Sequence, residues 1–418
     1  MAVCEIISVG TEILLGDIVN TDAQFLAVEL AKMGISVHHQ TTVGDNPERL
    51  KKALEIALDR SDIVIASGGL GPTPDDLTKE ICCDFFDKEC SIHQESLDRM
   101  KNYFASKNLE MSDNNTKQAL LPVDGTVFPN DNGTAPGCAI SKDGKHILML
   151  PGPPRELKPM FLNYAAKYLS QFSDKVILSH NIRTFGIGES AMAQKVEDLL
   201  ESKNPTVAPY AKDGEALLRV TAMADDESTA DALAKPMIEE ITARLDGYVY
   251  GIDVPNIETA VVTMLKEKGF TIATAESCTG GLIGKRITDV PGASCVFGCG
   301  IISYSNDIKK NILGVSQEDL KAYGAVSEPV ARQMAEGALK VSGADIAVSV
   351  TGIAGPDSDS TSKPVGLCYI GLAAKDSTVI VKKLLTGKTG PGCRDYNRYV
   401  TASNALNLIR LYIEGNLK

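Results

Sequence analysis

The sequence predicts an α/β chain: two three-layer α/β domains with mostly parallel sheets, joined by a small α+β middle module. Three observations lead there. Strand-length apolar runs alternate with helix-length amphipathic stretches at both ends of the chain, over loops so short that the strands must run parallel with crossover helices. Between about residues 175 and 250 that pattern gives way to a different one. The length of 418 residues also exceeds what one ordinary core organises. The expected divisions are 1–172, 173–252 and 253–418.

In the first segment "CEIISVG" is a buried strand and "NTDAQFLAVELAKMG" an amphipathic helix closed by Gly34. "ISVHHQTTVG" is the next strand, "NPERLKKALEIALDRS" the next helix and "DIVIASGG" the third strand. Further helices follow, then a turn-rich "NDNGTAPGCAI" and a strand "HILMLPGPP". The middle segment reads as strand "VILSHNIRTFGI", helix "ESAMAQKVEDLLE", strand "GEALLRVTAMA", helix "STADALAKPMIEEITARL" and a short strand "YVYG". It carries no catalytic constellation, which suits a connecting or assembling role, and "GIDVPNIE" reads as a linker. The last segment restarts the alternation with helix "ETAVVTMLKEKG" and strand "FTIATAE". Strand "VFGCGIISYS" leads into helix "NDIKKNIL", and "EPVARQMAEGALKVSG" is helical. "ADIAVSVTG", "VGLCYIGLAA" and "TVIVKKLL" are strands, "PDSDSTSKP" is a polar loop, and a helix closes the chain from Arg394 to Tyr412.

The bulk chemistry excludes several classes. A net charge of −12 argues against direct nucleic-acid binding, which needs a basic patch, but leaves room for a phosphorylated ligand in a local pocket. The start "MAVCEIISVG" has neither the charged nor the long apolar region of a signal peptide, and no apolar run approaches the ~18 residues of a membrane span. A cytoplasmic protein is expected. The ten cysteines lack paired C-x-x-C spacing and the five histidines are scattered, so free, mostly buried thiols are expected rather than a zinc site.

Two regions carry chemistry. In the first segment the turns "GTEILLGD", "VGDN" and "GGLGPTPDD" each follow an apolar strand, and parallel strand ends converge at one sheet edge where ligands bind. The glycines permit close backbone approach, and Thr11 and Thr73 add hydroxyls. Asp75 and Asp76, with Glu12, Asp17 or Asp45, can hold a divalent metal against a diphosphate; equally, the acids can serve only as caps for the helix that starts near Leu77. In the last segment "TAESCTGGLIGK" imitates a phosphate loop, yet Arg286 follows Gly284-Lys285 and Thr279 stands where a Walker glycine belongs. A nucleophile elbow fails as well, because Ala275 and Thr279 flank Ser277.

That stretch still offers two nucleophiles, Ser277 and Cys278, at a strand end beside Gly280 and Gly281. The N–H groups of Cys278, Thr279, Gly280 and Gly281, opening a helix, can receive an oxyanion or a phosphate. The last histidine is His180, so a Ser–His–Asp triad inside this segment is impossible. Lys309 is the expected base, with its pKa depressed by burial or a nearby cation. Tyr304 can relay a proton or orient the substrate, Thr351 can contact it, and the N–H groups around Gly352 can add anion binding. Arg394 and Arg398, one helical turn apart, can clamp a phosphate.

"VGTEILLGDIVNTDAQFLA" and "SGGLGPTPDD", with "KQALLP" and "PGPPREL", closely resemble the N-terminal domain of the competence/damage-inducible CinA family, which shares the fold of molybdopterin-binding proteins. The resemblance implies hydrolysis of ADP-ribose to AMP and ribose 5-phosphate, with Co2+ or Mg2+ and assistance from K+. The pocket it implies comprises Gly10, Thr11, Glu12, Gly68, Gly69, Gly71, Pro72, Thr73 and Arg155, with Asp45, Asp75, Asp76 and Glu156 as metal candidates. "AESCTGG", "GIISYSNDIK", "SVTGIAGP" and "KPVGLCYIG" resemble the same family's second domain, a nicotinamide-nucleotide amidase. That likeness implies deamidation of NMN to nicotinic acid mononucleotide and ammonia, a step of NAD salvage, without a cofactor. It favours Ser277 over Cys278 and adds Ser294 to the substrate contacts. Where family members tend to carry an acid, this chain has Cys393. A homodimer is the expected assembly.

Overall fold

The computed structural model describes residues 2–172, 175–212, 214–358 and 363–417. They fall into two compact units, one running to Ser179 and including Ala222–Leu233, the other comprising His180–Thr221 and Ala234–Lys418.

In the first unit β1 (Val3–Val9), β2 (Ser36–Val43) and β3 (Ile63–Ser67) are the three strands read from the sequence. A short ribbon of β4 (Cys90–Ile92) and β5 (Leu120–Pro122) stands apart from the main sheet. That sheet is completed by β6 (Thr126–Phe128), β7 (Gly137–Lys142) and β8 (Lys145–Leu150), in the order β2-β1-β3-β8-β7-β6. β2, β1, β3 and β8 run parallel; β7 and β6 return antiparallel. Because side chains alternate across a strand, the sheet feeds two cores. Ile6, Ile65 and Leu148 pack with Leu26, Leu30 and Leu157 on one face, and Ile7, Val64 and Ile147 with Leu50, Leu54 and Cys82 on the other. The carboxyl ends of the four parallel strands therefore share one edge, which brings Gly10, Gly44, Gly68 and Pro151 together.

The middle sheet has β9 (Val176–Phe185), β10 (Thr206–Lys212), β11 (Glu215–Ala224) and β12 (Val249–Ile252), in the order β10-β11-β9-β12. The closing helix Cys393–Glu414 grips its last strand through Arg410, whose guanidinium donates to the carbonyls of Gly247 (3.0 Å) and Val249 (3.1 Å) and pairs with Glu414.

The final sheet contains β13 (Ile272–Glu276), β14 (Phe297–Ile302), β15 (Ile346–Gly352), β16 (Leu367–Ala374) and β17 (Val379–Leu385), in the order β14-β13-β15-β16-β17. β14, β13 and β15 are parallel; β16 and β17 are antiparallel. Helices Ile257–Lys268 and Cys393–Glu414 pack on one face around Val261, Val348 and Leu406, and Glu328–Ser342 on the other around Met334 and Ala347. Glu276, Ile302 and Gly352 thus end at a common edge. Of the polar loop 356–364, residues 359–362 lie outside the described residues.

Candidate functional sites

At that edge the chain leaves β13 through Ser277, which is tied to β15 by its N–H bond to the carbonyl of Val350 (2.9 Å). Gly280 and Gly281 turn it sharply with φ of 60° and 92°, a region costly to any side chain, and the helix Leu282–Thr288 begins. The buried carboxylate of Glu276 accepts the N–H groups of Gly281 (3.0 Å), Ile283 (3.1 Å) and Gly284 (2.8 Å). The helix N-terminus is therefore already occupied by an anion, and Gly281 is not the anion donor the sequence suggested. Gly280 N–H is likewise spent on the carbonyl of Ser277 (3.0 Å). Among the described residues no backbone carbonyl meets the N–H of Cys278 or Thr279, and since Thr279 is fully buried, that of Cys278 is the one left beside the nucleophile for an oxyanion.

Lys309 reaches the same point from the helix Asn306–Leu313, held by the cap of Ser305 on the N–H of Ile308 (3.3 Å). It is 1% exposed. Its Nζ donates to the Ser277 hydroxyl at 3.1 Å and to the carbonyls of Ser303 (2.6 Å) and Tyr304 (3.5 Å). Burial disfavours the ammonium and brings the pKa down to about 8. Once neutral, the amine can keep its two remaining N–H bonds on the carbonyls and turn its lone pair to Ser277. Ser303, absent from the sequence-based candidates, is the hinge: it is buried, and its N–H donates to the carbonyl of Glu276 (2.8 Å). Glu276 and Ser303 stand inside the quoted motifs "AESCTGG" and "GIISYSNDIK", but nothing in their spacing reveals a cap or a carbonyl acceptor.

The competing nucleophile is disfavoured. Cys278 is 6% exposed, packs in the apolar core and meets the thiol of Cys368; that contact and burial push its pKa well above the ordinary thiol range.

The other candidates divide. Tyr304 is 62% exposed beside Ser277, and its hydroxyl accepts from Arg394 Nη2 (3.1 Å), whose Nη1 donates to the carbonyl of Gly355 (2.9 Å). Arg398 Nη2 donates to the carbonyl of Thr279 (2.8 Å). Both arginines stand at the site, each with part of its guanidinium committed to the protein. Three candidates are corrected. The Thr351 hydroxyl is buried and donates to the carbonyl of Ala325 (2.8 Å), which leaves no donor for a substrate. Gly352 pairs with Cys368 across β15 and β16, where a side chain would collide with that thiol, so its smallness serves packing. Ser294 precedes β14, whose parallel run past β13 leaves it at the amino edge, about one strand length (~17 Å) from Ser277. Thr279 is fully buried, its hydroxyl without a partner among the described residues.

In the first unit, the strand-end turns enclose a cavity of about 550 Å³. Gly10, Glu12, Asp45, Gly68, Gly69, Gly71, Asp75, Asp76 and Glu156 all line it. Gly68 is required for a packing reason: with φ of 98°, any Cβ there would strike the carbonyl of Val9. Thr11 and Thr73 are exposed and outside the lining, and each donates to one of its acids. Thr11 N–H (2.9 Å) and hydroxyl (2.8 Å) bind Asp45 Oδ2, and Thr73 N–H (3.0 Å) and hydroxyl bind Asp76 Oδ2. Glu156 accepts from Asn130 Nδ2 (2.9 Å), and the largely exposed Arg155 sits 3.7 Å from Glu156, outside the lining together with Pro72 and Asp17. Among the described residues no three metal-ligating side chains converge. The carboxylates in the lining fit a hard divalent cation held by one or two of them and completed by phosphate oxygens.

Among the described residues no helix is long and apolar enough to cross a membrane. Comparison with known proteins covers nearly the whole chain. Residues 5–171 match the family described as "Probable molybdopterin binding domain", 179–251 "Damage-inducible protein CinA KH domain", and 255–413 "CinA C-terminal domain". A CinA-like protein of Dictyoglomus turgidum is 51% identical over 408 residues, covering 97% of this chain and 98% of that one. A CinA-like protein of Dictyoglomus thermophilum is 50% identical over the same shares. The crystal structure of competence/damage inducible protein CihA from Agrobacterium tumefaciens is 39% identical over 38% of this chain and 93% of that one, with a TM-score of 0.36. With half its residues shared with full-length relatives from end to end, the chain belongs to the CinA family.

Proposed function

We propose that the C-terminal domain is an amidohydrolase that converts NMN to nicotinic acid mononucleotide and ammonia. The observation that carries this reading is the buried Lys309 Nζ at 3.1 Å from Ser277 Oγ, in a domain without histidine. Neutral Lys309 takes the hydroxyl proton as Ser277 Oγ attacks the carboxamide carbon. The N–H of Cys278 receives the developing oxyanion. The C–N bond breaks as the Lys309 ammonium returns its proton to the leaving nitrogen, releasing ammonia and an acyl-serine. Water, deprotonated by the same amine, hydrolyses that ester and restores both groups. Tyr304 with its partner Arg394, and Arg398 on the Thr279 carbonyl, are suited to the ring and phosphate of a nucleotide; NMN itself is suggested by the family resemblance. The test is ammonia release from NMN without added metal, by the wild type, Ser277→Ala and Lys309→Met. Turnover by the wild type alone supports the mechanism, and none by the folded wild type overturns it.

The N-terminal cavity is proposed to hydrolyse ADP-ribose to AMP and ribose 5-phosphate. Its supports are its size, its acidic oxygen lining, its glycine-rich strand ends and the resemblance to the family's first domain. A divalent cation there would neutralise the diphosphate, with Asp75, Asp76 or Glu12 as its anchors. AMP formation with Mg2+ or Co2+, lost on chelation, tests this second activity.

A further inference from the structure

Asp22 was not among the sequence-based candidates, yet it is a buried acid of the N-terminal domain with an unpartnered oxygen among the described residues. It lies in the first turn of the helix Thr21–Lys32, just after the cap Asn20, whose side chain accepts the N–H of Ala23 (3.0 Å). The residue is only 8% exposed and lines the cavity. Neither oxygen accepts a hydrogen bond from the described residues, and Oδ1 is enclosed without a partner. Buried carboxylates are ordinarily bonded, because leaving one bare costs far more than a hydrogen bond returns. Burial accordingly pushes its pKa up to about 6, against the pull of Lys158.

A second orphan faces the same space. Gln118 is 2% exposed and lines the cavity; its Nε2 has one long bond to the carbonyl of Leu70 (3.4 Å), and its Oε1 has no partner. Two buried acceptors without donors, in one cavity, define what must enter. A phosphate is repelled by Asp22. The divalent cation of the proposed reaction has its anchors in Asp75, Asp76 or Glu12, in the strand-end turns. What remains is a neutral group bearing O–H or N–H.

We infer that Asp22 is a specificity-determining acceptor of this cavity, taking a hydrogen bond from a sugar hydroxyl or a base amino group of the bound nucleotide. This rests on reading the cavity as a nucleotide site. It assigns the Asp22 end of the cavity to the uncharged part of the ligand and leaves the phosphates to the glycine turns. Asp22 is then kept, at a cost to the ligand-free fold, because the ligand supplies the missing donor.

The test is calorimetric titration of the full chain with Mg2+ and ADP-ribose, its hypoxanthine analogue without the amino donor, and its 2′-deoxy and 3′-deoxyribosyl analogues. Asp22→Asn keeps the shape and should weaken ADP-ribose at least tenfold, with an unchanged or higher melting temperature. One analogue should bind the wild type equally weakly and lose nothing further in the variant, and its identity tells amino from hydroxyl recognition. Wild-type affinity in a folded Asp22→Asn would leave only an ordered water beside Asp22 and overturn the inference while the nucleotide reading stands. If the variant does not fold, equal affinity of the wild type for every analogue overturns it. No binding of any nucleotide by the wild type overturns the nucleotide reading, and the inference with it.

Discussion

Lys309 and Ser277, 32 positions apart in sequence, meet at 3.1 Å because two parallel strands end side by side. Ser277 follows β13, and Lys309 stands in the first turn of the helix that follows β14, so sheet register sets their distance. The amine competent to take the Ser277 proton must be neutral. Since burial has lowered the Lys309 pKa to about 8, kcat/KM for amide hydrolysis should rise with pH and level off above about 8. Lys309→Met should lose about 10²–10⁴-fold in kcat while substrate still binds. A flat profile from pH 6 to 9 would remove Lys309 as the base.

Cys278 should prove dispensable. Its thiol is buried against Cys368 with a raised pKa, so Cys278→Ala should keep kcat within about threefold, an effect of packing rather than of lost chemistry. Steady-state kinetics checks this, and a loss comparable to that of Ser277→Ala would move the nucleophile.

Glu276 holds the turn that presents Ser277. Replacing it with alanine leaves three helix N–H groups unpaired and should cost about 1–3 kcal/mol, read in urea denaturation. Glu276→Gln keeps an acceptor oxygen, so it should recover much of the stability and of kcat. If alanine and glutamine behave alike, the cap has no role in placing Ser277.

Arg286 is a buried cation between Glu258 (2.7 Å) and Ser403 (2.7 Å), packed over the Tyr399 ring at 4.7 Å. Removing one member of a buried pair strands the other, so Glu258→Ala should cost about 3–5 kcal/mol. Replacing both residues by apolar side chains of similar volume should cost much less. Urea unfolding of both variants measures the difference.

Ligand-free stability should also carry the signature of Asp22. Its folded-state pKa of about 6 lies above the unfolded 3.8, so the folded form is favoured by protonation. That contribution is complete below pH 3.8 and is lost as pH rises through 6. The facing cation is Lys158. The stability difference between Asp22→Asn and wild type should therefore grow from pH 4 to 7. A constant difference would show that Asp22 does not titrate in this window.

The sequence by itself determined the two alternating segments, the strands whose ends carry the turns, and the chemical shortlist. Apolar periodicity is a local property, and the absence of histidine after His180 alone redirected attention to Lys309. Only the tertiary structure decided which of these groups are free to act. Thr351 and Gly352 are consumed by packing, and Ser294 falls at the opposite sheet edge. Glu276 takes the helix N-terminus that the sequence offered to a ligand, and Asp45 and Asp76 of the strand-end turns accept from Thr11 and Thr73. Asp22 and Ser303 were unreadable in advance because burial and an unpaired or paired oxygen depend on neighbours distant in sequence. A motif specifies which atoms a site can use; the packing around it fixes which of them are still unbonded.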